Sequence, residues 1–125
     1  LMVDDDMVFS KDAIFNLHRT AKDNNLDIVC GLFNRGDNGL PAIFQGEKYD
    51  DITEIPDRLF EVEACGMAFT LFSRTVIFRS AKENPFTRTI PLGEDLSFCR
   101  RAKEKGFKIW CDPQIKIGHL RLRAI

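Results

Sequence analysis

The sequence predicts an α/β domain, and two observations carry that prediction. Short apolar, strand-like runs alternate with stretches of helical periodicity along the 125 residues. The clearest helix, "GEDLSFCRRAKEKG" (93–106), has start and stop signals that agree with each other and is followed at once by another strand pattern. With 44% hydrophobic and 30% charged residues, the chain has the composition of a soluble protein with a single core.

The first element is "LMVDDDMVF" (1–9), where an apolar run meets Asp4, Asp5 and Asp6. Three adjacent carboxylates at the end of a buried strand repel one another and call for a positive partner. Ser10 then reads as an N-cap, with Asp12 in the first turn and Ile14, Leu17 and Ala21 at helical spacing, so a helix is expected over 11–24, ended by Asn24 and Asn25. "LDIVCGLF" (26–33) reads as a strand, "NRGDNG" (34–39) as a turn, and 40–45 as its hairpin partner.

Residues 46–58 are polar and contain Pro56, which predicts a surface excursion. "FEVEACGMAFTLFS" (60–73) is strand-like, and Gly66 inside it marks a close backbone approach. Ser73 is positioned to cap a short helix through Ser80, and "AKENPFTRTIPLG" (81–93), with two prolines, reads as a loop of the kind that borders sites. In the helix of 93–106, Glu94 and Asp95 open, Lys103 and Lys105 lie near the end and Gly106 closes. "FKIWC" (107–111) then reads as a strand, "DP" as a turn and "QIKIGHL" (114–120) as an alternating strand that carries His119.

A net charge of -1 gives no general attraction to nucleic acid or anionic membrane, so no nucleic-acid partner is expected. Cys30, Cys65, Cys99 and Cys111 lack CxxC spacing and read as buried free thiols, which favours a reducing, cytoplasmic location. No run reaches the roughly 18 apolar residues of a membrane helix, and the start has no signal-peptide pattern. The opening at Leu1, directly in an apolar run, reads as a cut from something longer.

Three sets of residues are candidates for chemistry. On a strand, Asp4 and Asp6 would share one face and Asp5 the other, so two carboxylates could hold Mg²⁺ or Mn²⁺ beside substrate phosphates. Glu94 and Asp95 complement a helix dipole, and Asp95 beside a loop is also placed to act as a general base. His119 can complete a mixed oxygen and nitrogen site, whereas His18, on a helix face, reads as plain surface.

An acidic triplet after a strand, then "EACGMAF", then "GEDLSFCRRAKEKGFKIWCDP", then "GH", in this order over most of the chain, resembles the catalytic half of family 2-like glycosyltransferases with the GT-A fold. The resemblance implies one domain over 1–125: a partial GT-A, Rossmann-like mixed sheet flanked by helices. That domain would begin at the DxD strand and lack the N-terminal nucleotide-binding strands. Asp4 and Asp6 match the metal ligands for Mn²⁺ or Mg²⁺, with Asp4 and Asp5 beside the donor diphosphate. Cys65, Gly66 and Met67 match the segment by donor sugar and acceptor, Glu94 and Asp95 the catalytic pair, and His119 a further metal ligand.

The implied activity is transfer of a sugar from a nucleotide-sugar donor, a UDP-sugar by family frequency, to a hydroxyl of a carbohydrate or glycoconjugate acceptor, as in polysaccharide biosynthesis. A single displacement assisted by Asp95 inverts the anomeric centre. The chain by itself is expected to be inactive for want of the nucleoside-binding half, and an uncovered sheet edge at 1–3 is expected to favour a homodimer. A nucleotidyltransferase-like domain is the rival enzyme reading, and a non-catalytic interaction or assembly domain is the rival outside enzymes.

Overall fold

The computed structural model describes residues 1–4, 6–35, 39–80 and 93–119, with Ser80 and His119 described by backbone alone. Asp5, most of the 81–93 loop, part of the 34–39 turn and Leu120 lie outside the described residues. The elements in order are β1 (Met2–Val3), β2 (Met7–Val8), α1 (Ala13–Asp23), β3 (Ile28–Leu32), β4 (Ile43–Gln45), β5 (Asp50–Asp51) and β6 (Phe60–Val62). They continue with β7 (Ala64–Cys65), β8 (Phe69–Phe72), α2 (Arg74–Ser80), α3 (Glu94–Glu104), β9 (Ile109–Lys116) and β10 (Gly118–His119).

A mixed five-stranded sheet in the order β1-β8-β3-β9-β6 forms the centre, with β3 parallel to β9 and the other pairs antiparallel. The expected α/β class with a mixed sheet flanked by helices is therefore what the chain forms. Strand β3 is buried on both faces, which explains its unbroken apolar run. Its Ile28 and Cys30 face a core completed by Phe98, Cys99 and Ala102 of α3, whereas Val29 faces a second core with Ala13 and Leu17 of α1. The two helices thus cover opposite faces of one sheet. A three-stranded sheet, β5-β4-β7, lies on the α3 side, and β10 pairs with β2.

Several local expectations are met. Asn24 and Asn25 end α1, Asn25 with a φ of 54°. The Ser73 hydroxyl accepts the Val76 amide at 3.4 Å as α2 begins. All four cysteines are buried and free. Residues 46–58 are largely exposed, with Ile52 the buried exception. His18 is exposed. No helix among the described residues is long and apolar enough to cross a membrane.

Other elements differ from the sequence reading, each for a physical reason. Helix α1 begins later, with Asp12 rather than Ser10 as N-cap and with no side-chain cap bond; Ser10 contributes its carbonyl, which accepts the Ala13 amide at 3.1 Å. The segment 60–73 is three strands, because Glu63 and the 66–68 bend turn the chain from the central sheet into the small one and back. Residues 40–45 fold back on 33–35 only at the base, through an Asn34–Pro41 bridge. Strand β4 then leaves to pair with β5 and β7, which lets Ile43 and Phe44 enter the α3-side core.

The "DP" pair does not separate two strands either. Strand β9 runs through it, and a register shift after Gly31 absorbs the extra residues, with the Asp112 carboxylate accepting the Gln114 amide at 3.1 Å. Pro113 has no amide hydrogen to give to a neighbouring strand, so a bulge is where a strand tolerates it. Finally, Asp4 and Asp6 do not alternate along a strand. Strand β1 ends at Val3 and the carboxylates lie on a turn closed by a bond from the Met7 amide to the Asp4 carbonyl.

Candidate functional site

A cleft of about 620 Å³ opens at the carboxyl end of β1, within the ordinary size range of ligand sites. One wall comes from three distant parts of the chain: Asp4, the 66–68 bend, and Asp95 with Leu96 at the start of α3. The Asp4 amide donates to the Ala68 carbonyl at 2.9 Å, which ties the acidic turn to that bend. The opposite wall comes from 33–51 and includes Phe33, Arg35, Phe44, Lys48, Tyr49 and Asp51.

Gly66 forms the floor where the walls meet. A Cβ there would lie 3.2 Å from the Phe33 ring and 3.3 Å from the Ala42 methyl. Its backbone is fixed on both sides, since its amide donates to the Ala42 carbonyl and its carbonyl accepts the Thr70 hydroxyl. This is the close approach that a glycine inside a strand pattern signals.

Gly93 precedes α3 with a φ of 94°, a conformation that glycine adopts without strain, and there is no side-chain cap on that helix. Asp95 instead directs a carboxylate oxygen across the cleft edge to the Met67 amide, 3.1 Å away. The surrounding protein partly desolvates this carboxyl although one side stays open, and that raises its pKa from the ordinary aspartate value. The Met67 bond works in the opposite direction, while Cys65, Asp4 and Glu94 add smaller increases. The influence of Asp4 is itself a sign that two carboxylates share the site.

The remaining sequence candidates fall at different depths. Glu94 is exposed beside Asp95. Cys65 is fully buried behind the floor and does not line the cleft. The Cys99 thiol donates to the Cys65 carbonyl at 3.4 Å. Cys30 is held well above the ordinary thiol range by its neighbours Cys111 and Cys65 and by burial, and Cys99 by Cys65 and by burial. Asp6 is half-buried on the acidic turn and does not line the cleft. The His119 backbone pairs with Met7, one residue beyond Asp6.

Among the described residues, no group of three or more His, Cys, Asp or Glu gathers around a point that could hold a metal ion. Magnesium-type sites on phosphorylated substrates need only one or two protein carboxylates, with water and phosphate oxygens completing the octahedron. Asp4 lines the cleft, and Asp6 lies on the same turn outside that lining.

The sequence reading missed the wall of 33–51. Arg35 donates to Asp51 at 2.6 Å and stacks over the Phe44 ring at 5.1 Å. Tyr49 has a φ of 55°, a strained value for an aromatic residue, and burial raises its pKa, which keeps the phenol protonated. The density of turn formers in 34–39 was the available signal, but nothing local announces that Phe33, Arg35 and the residues from Ala42 to Asp51 come to the bend at Gly66.

No family model matches the chain, and no curated protein matches it. Among solved structures, the crystal structure of A197 from STIV is similar, with a TM-score of 0.69 at 22% identity over 96% of this chain. The chain spans 56% of the length of that protein. At this identity the likeness concerns the fold alone.

Proposed function

We propose that the chain is the acceptor-side catalytic half of a GT-A glycosyltransferase, transferring a sugar from a nucleotide-sugar donor to a hydroxyl of a carbohydrate or glycoconjugate acceptor. One observation carries the reading: Asp4, Gly66, Met67 and Asp95, far apart in sequence, line one cleft, and the Met67 amide orients the Asp95 carboxylate. A raised pKa makes that carboxylate, once ionised, a stronger base than an ordinary aspartate.

In the reaction, an acceptor hydroxyl loses its proton to Asp95 as its oxygen forms a bond to the anomeric carbon. The bond from that carbon to the donor diphosphate breaks on the opposite face, and its electron pair leaves with the diphosphate, so the centre inverts. Asp4 and Asp6 would hold Mn²⁺ or Mg²⁺, which when bound neutralises charge on the departing diphosphate. Gly66 lets the Phe33 ring and the Ala42 methyl close against the floor of the cleft. The nucleoside-binding strands of this reading lie outside the 125 residues.

Calorimetric titration of Mn²⁺ and UDP into a chain extended upstream through those strands tests the reading. Metal-dependent UDP binding that disappears in Asp4→Ala is the expected result. Nucleotide binding indifferent to both metal and Asp4 would remove the mechanism, and sugar transfer by the 125-residue chain alone would overturn its assignment as half a domain.

A further inference from the structure

Two cations lie on the wall opposite Asp95, and the transfer chemistry does not use them. The Arg35 guanidinium carries five N–H donors, of which Asp51 takes one nitrogen at 2.6 Å; its Nε is buried with no acceptor among the described residues, so the terminal nitrogens are the donors a ligand can meet. The Phe44 ring beneath fixes the plane of the group. Lys48 is exposed and has no ion pair among the described residues. Tyr49 holds a strained left-handed backbone beside it, and strained residues cluster where a ligand is held.

We infer that Arg35 and Lys48 form an acceptor subsite for an anionic saccharide, one that carries a carboxylate or a phosphate monoester. This rests on the transferase reading of the cleft. A fixed guanidinium with spare donors and a mobile ammonium together suit a group with several anionic oxygens. Tyr49 and Phe33 offer flat faces for the sugar ring. Asp4 and Asp95 on the other wall repel an anion, so the charged end is directed to Arg35 and Lys48 and a hydroxyl end to Asp95. The two walls thus orient the acceptor as well as bind it.

The test is saccharide titration into the 125-residue chain in a chelator, followed by NMR, with methyl glucuronide, glucose 6-phosphate and neutral methyl glucoside as probes. At least one charged probe is expected to bind about tenfold more tightly than the neutral one, with Lys48→Gln losing most of that margin and Lys48→Arg restoring it. Arg35→Gln should lose the same margin, with its thermal melt recorded to separate binding from folding. The preference between carboxylate and phosphate identifies the class of acceptor.

Equal binding of charged and neutral probes, no binding of either anion, or a Lys48→Gln variant with unchanged affinity would overturn the subsite. Loss of pyrophosphate binding in Lys48→Gln with saccharides unaffected would also overturn it, by assigning the cations to the donor. No metal or nucleotide enters these titrations, so their outcome is independent of the Mn²⁺ and UDP measurement and either reading can fail alone.

Discussion

Helices α1 and α3 are each eleven residues long and cover opposite faces of the same sheet, yet they use their first turns differently. The first turn of α1 has no acidic residue, and the helix contributes Ala13 and Leu17 to the core. Helix α3 buries more of itself, through Ser97, Phe98, Cys99 and Ala102, and its first turn carries exposed Glu94 and presents Asp95 to the cleft. Asp95 binds the Met67 amide of another segment instead of capping its own helix. A helix anchored this firmly can carry a carboxylate whose position serves a site, so the helices differ in that turn as well as in how much they bury.

The largest effects should therefore be alike in both helices. Leu17 and Phe98 are almost completely buried, one in each core. Leu17→Ala is expected to cost about 2–5 kcal/mol and Phe98→Ala about 3–5 kcal/mol in urea unfolding, the usual result of emptying a packed site. A Phe98 variant that unfolds like the wild type would break the comparison, since α3 would then not be anchored by its core face.

The next effect concerns the floor on which α3 aims Asp95. Gly66→Ala places a methyl 3.2 Å from Phe33 and 3.3 Å from Ala42, while hydrogen bonds on both sides of Gly66 keep the backbone from retreating. The Phe33 ring must move, at an expected cost of about 1–2 kcal/mol by the measure of overpacked cores. Urea unfolding measures the cost, and saccharide titration should show a cleft narrowed by the displaced ring. Wild-type stability and binding in this variant would mean that the approach at Gly66 is not tight.

What the sequence made legible follows the range of the interactions. Helix α3 was readable because Glu94, Asp95 and Gly106 are local signals, and β3 because burial on both faces leaves an unbroken apolar run. The close approach at Gly66 was readable in the same way. The path of β4 was not, since its departure from β3 is decided by pairing with Cys65 and Ala64, some twenty residues downstream. The turn at Asp4 and Asp6 was hidden because an apolar run into acids reads equally as a strand end or a turn. Arg35, Lys48 and Tyr49 form no pattern in sequence, and only the fold brings them to the cleft beside Gly66.

The smallest expected effect sharpens the comparison most. Asp95 has a higher pKa folded than unfolded, so over the interval between the two values the native state binds more protons. Its stabilising contribution is fully present below the unfolded value and is lost as pH rises through the folded one, above which the partly desolvated carboxylate is ionised. Asparagine cannot ionise but still offers an oxygen to the Met67 amide. Asp95→Asn is therefore expected to unfold at the same or slightly higher urea concentration at neutral pH, with a flatter stability profile across the acid range above the unfolded value. On the proposed transferase reading, the same change in the upstream-extended chain should abolish transfer while leaving nucleotide binding in place. A marked loss of stability at neutral pH would mean that the carboxylate is held for folding. Asp95 would then do for α3 what the core residues do for α1, and the distinction between the two helices would vanish.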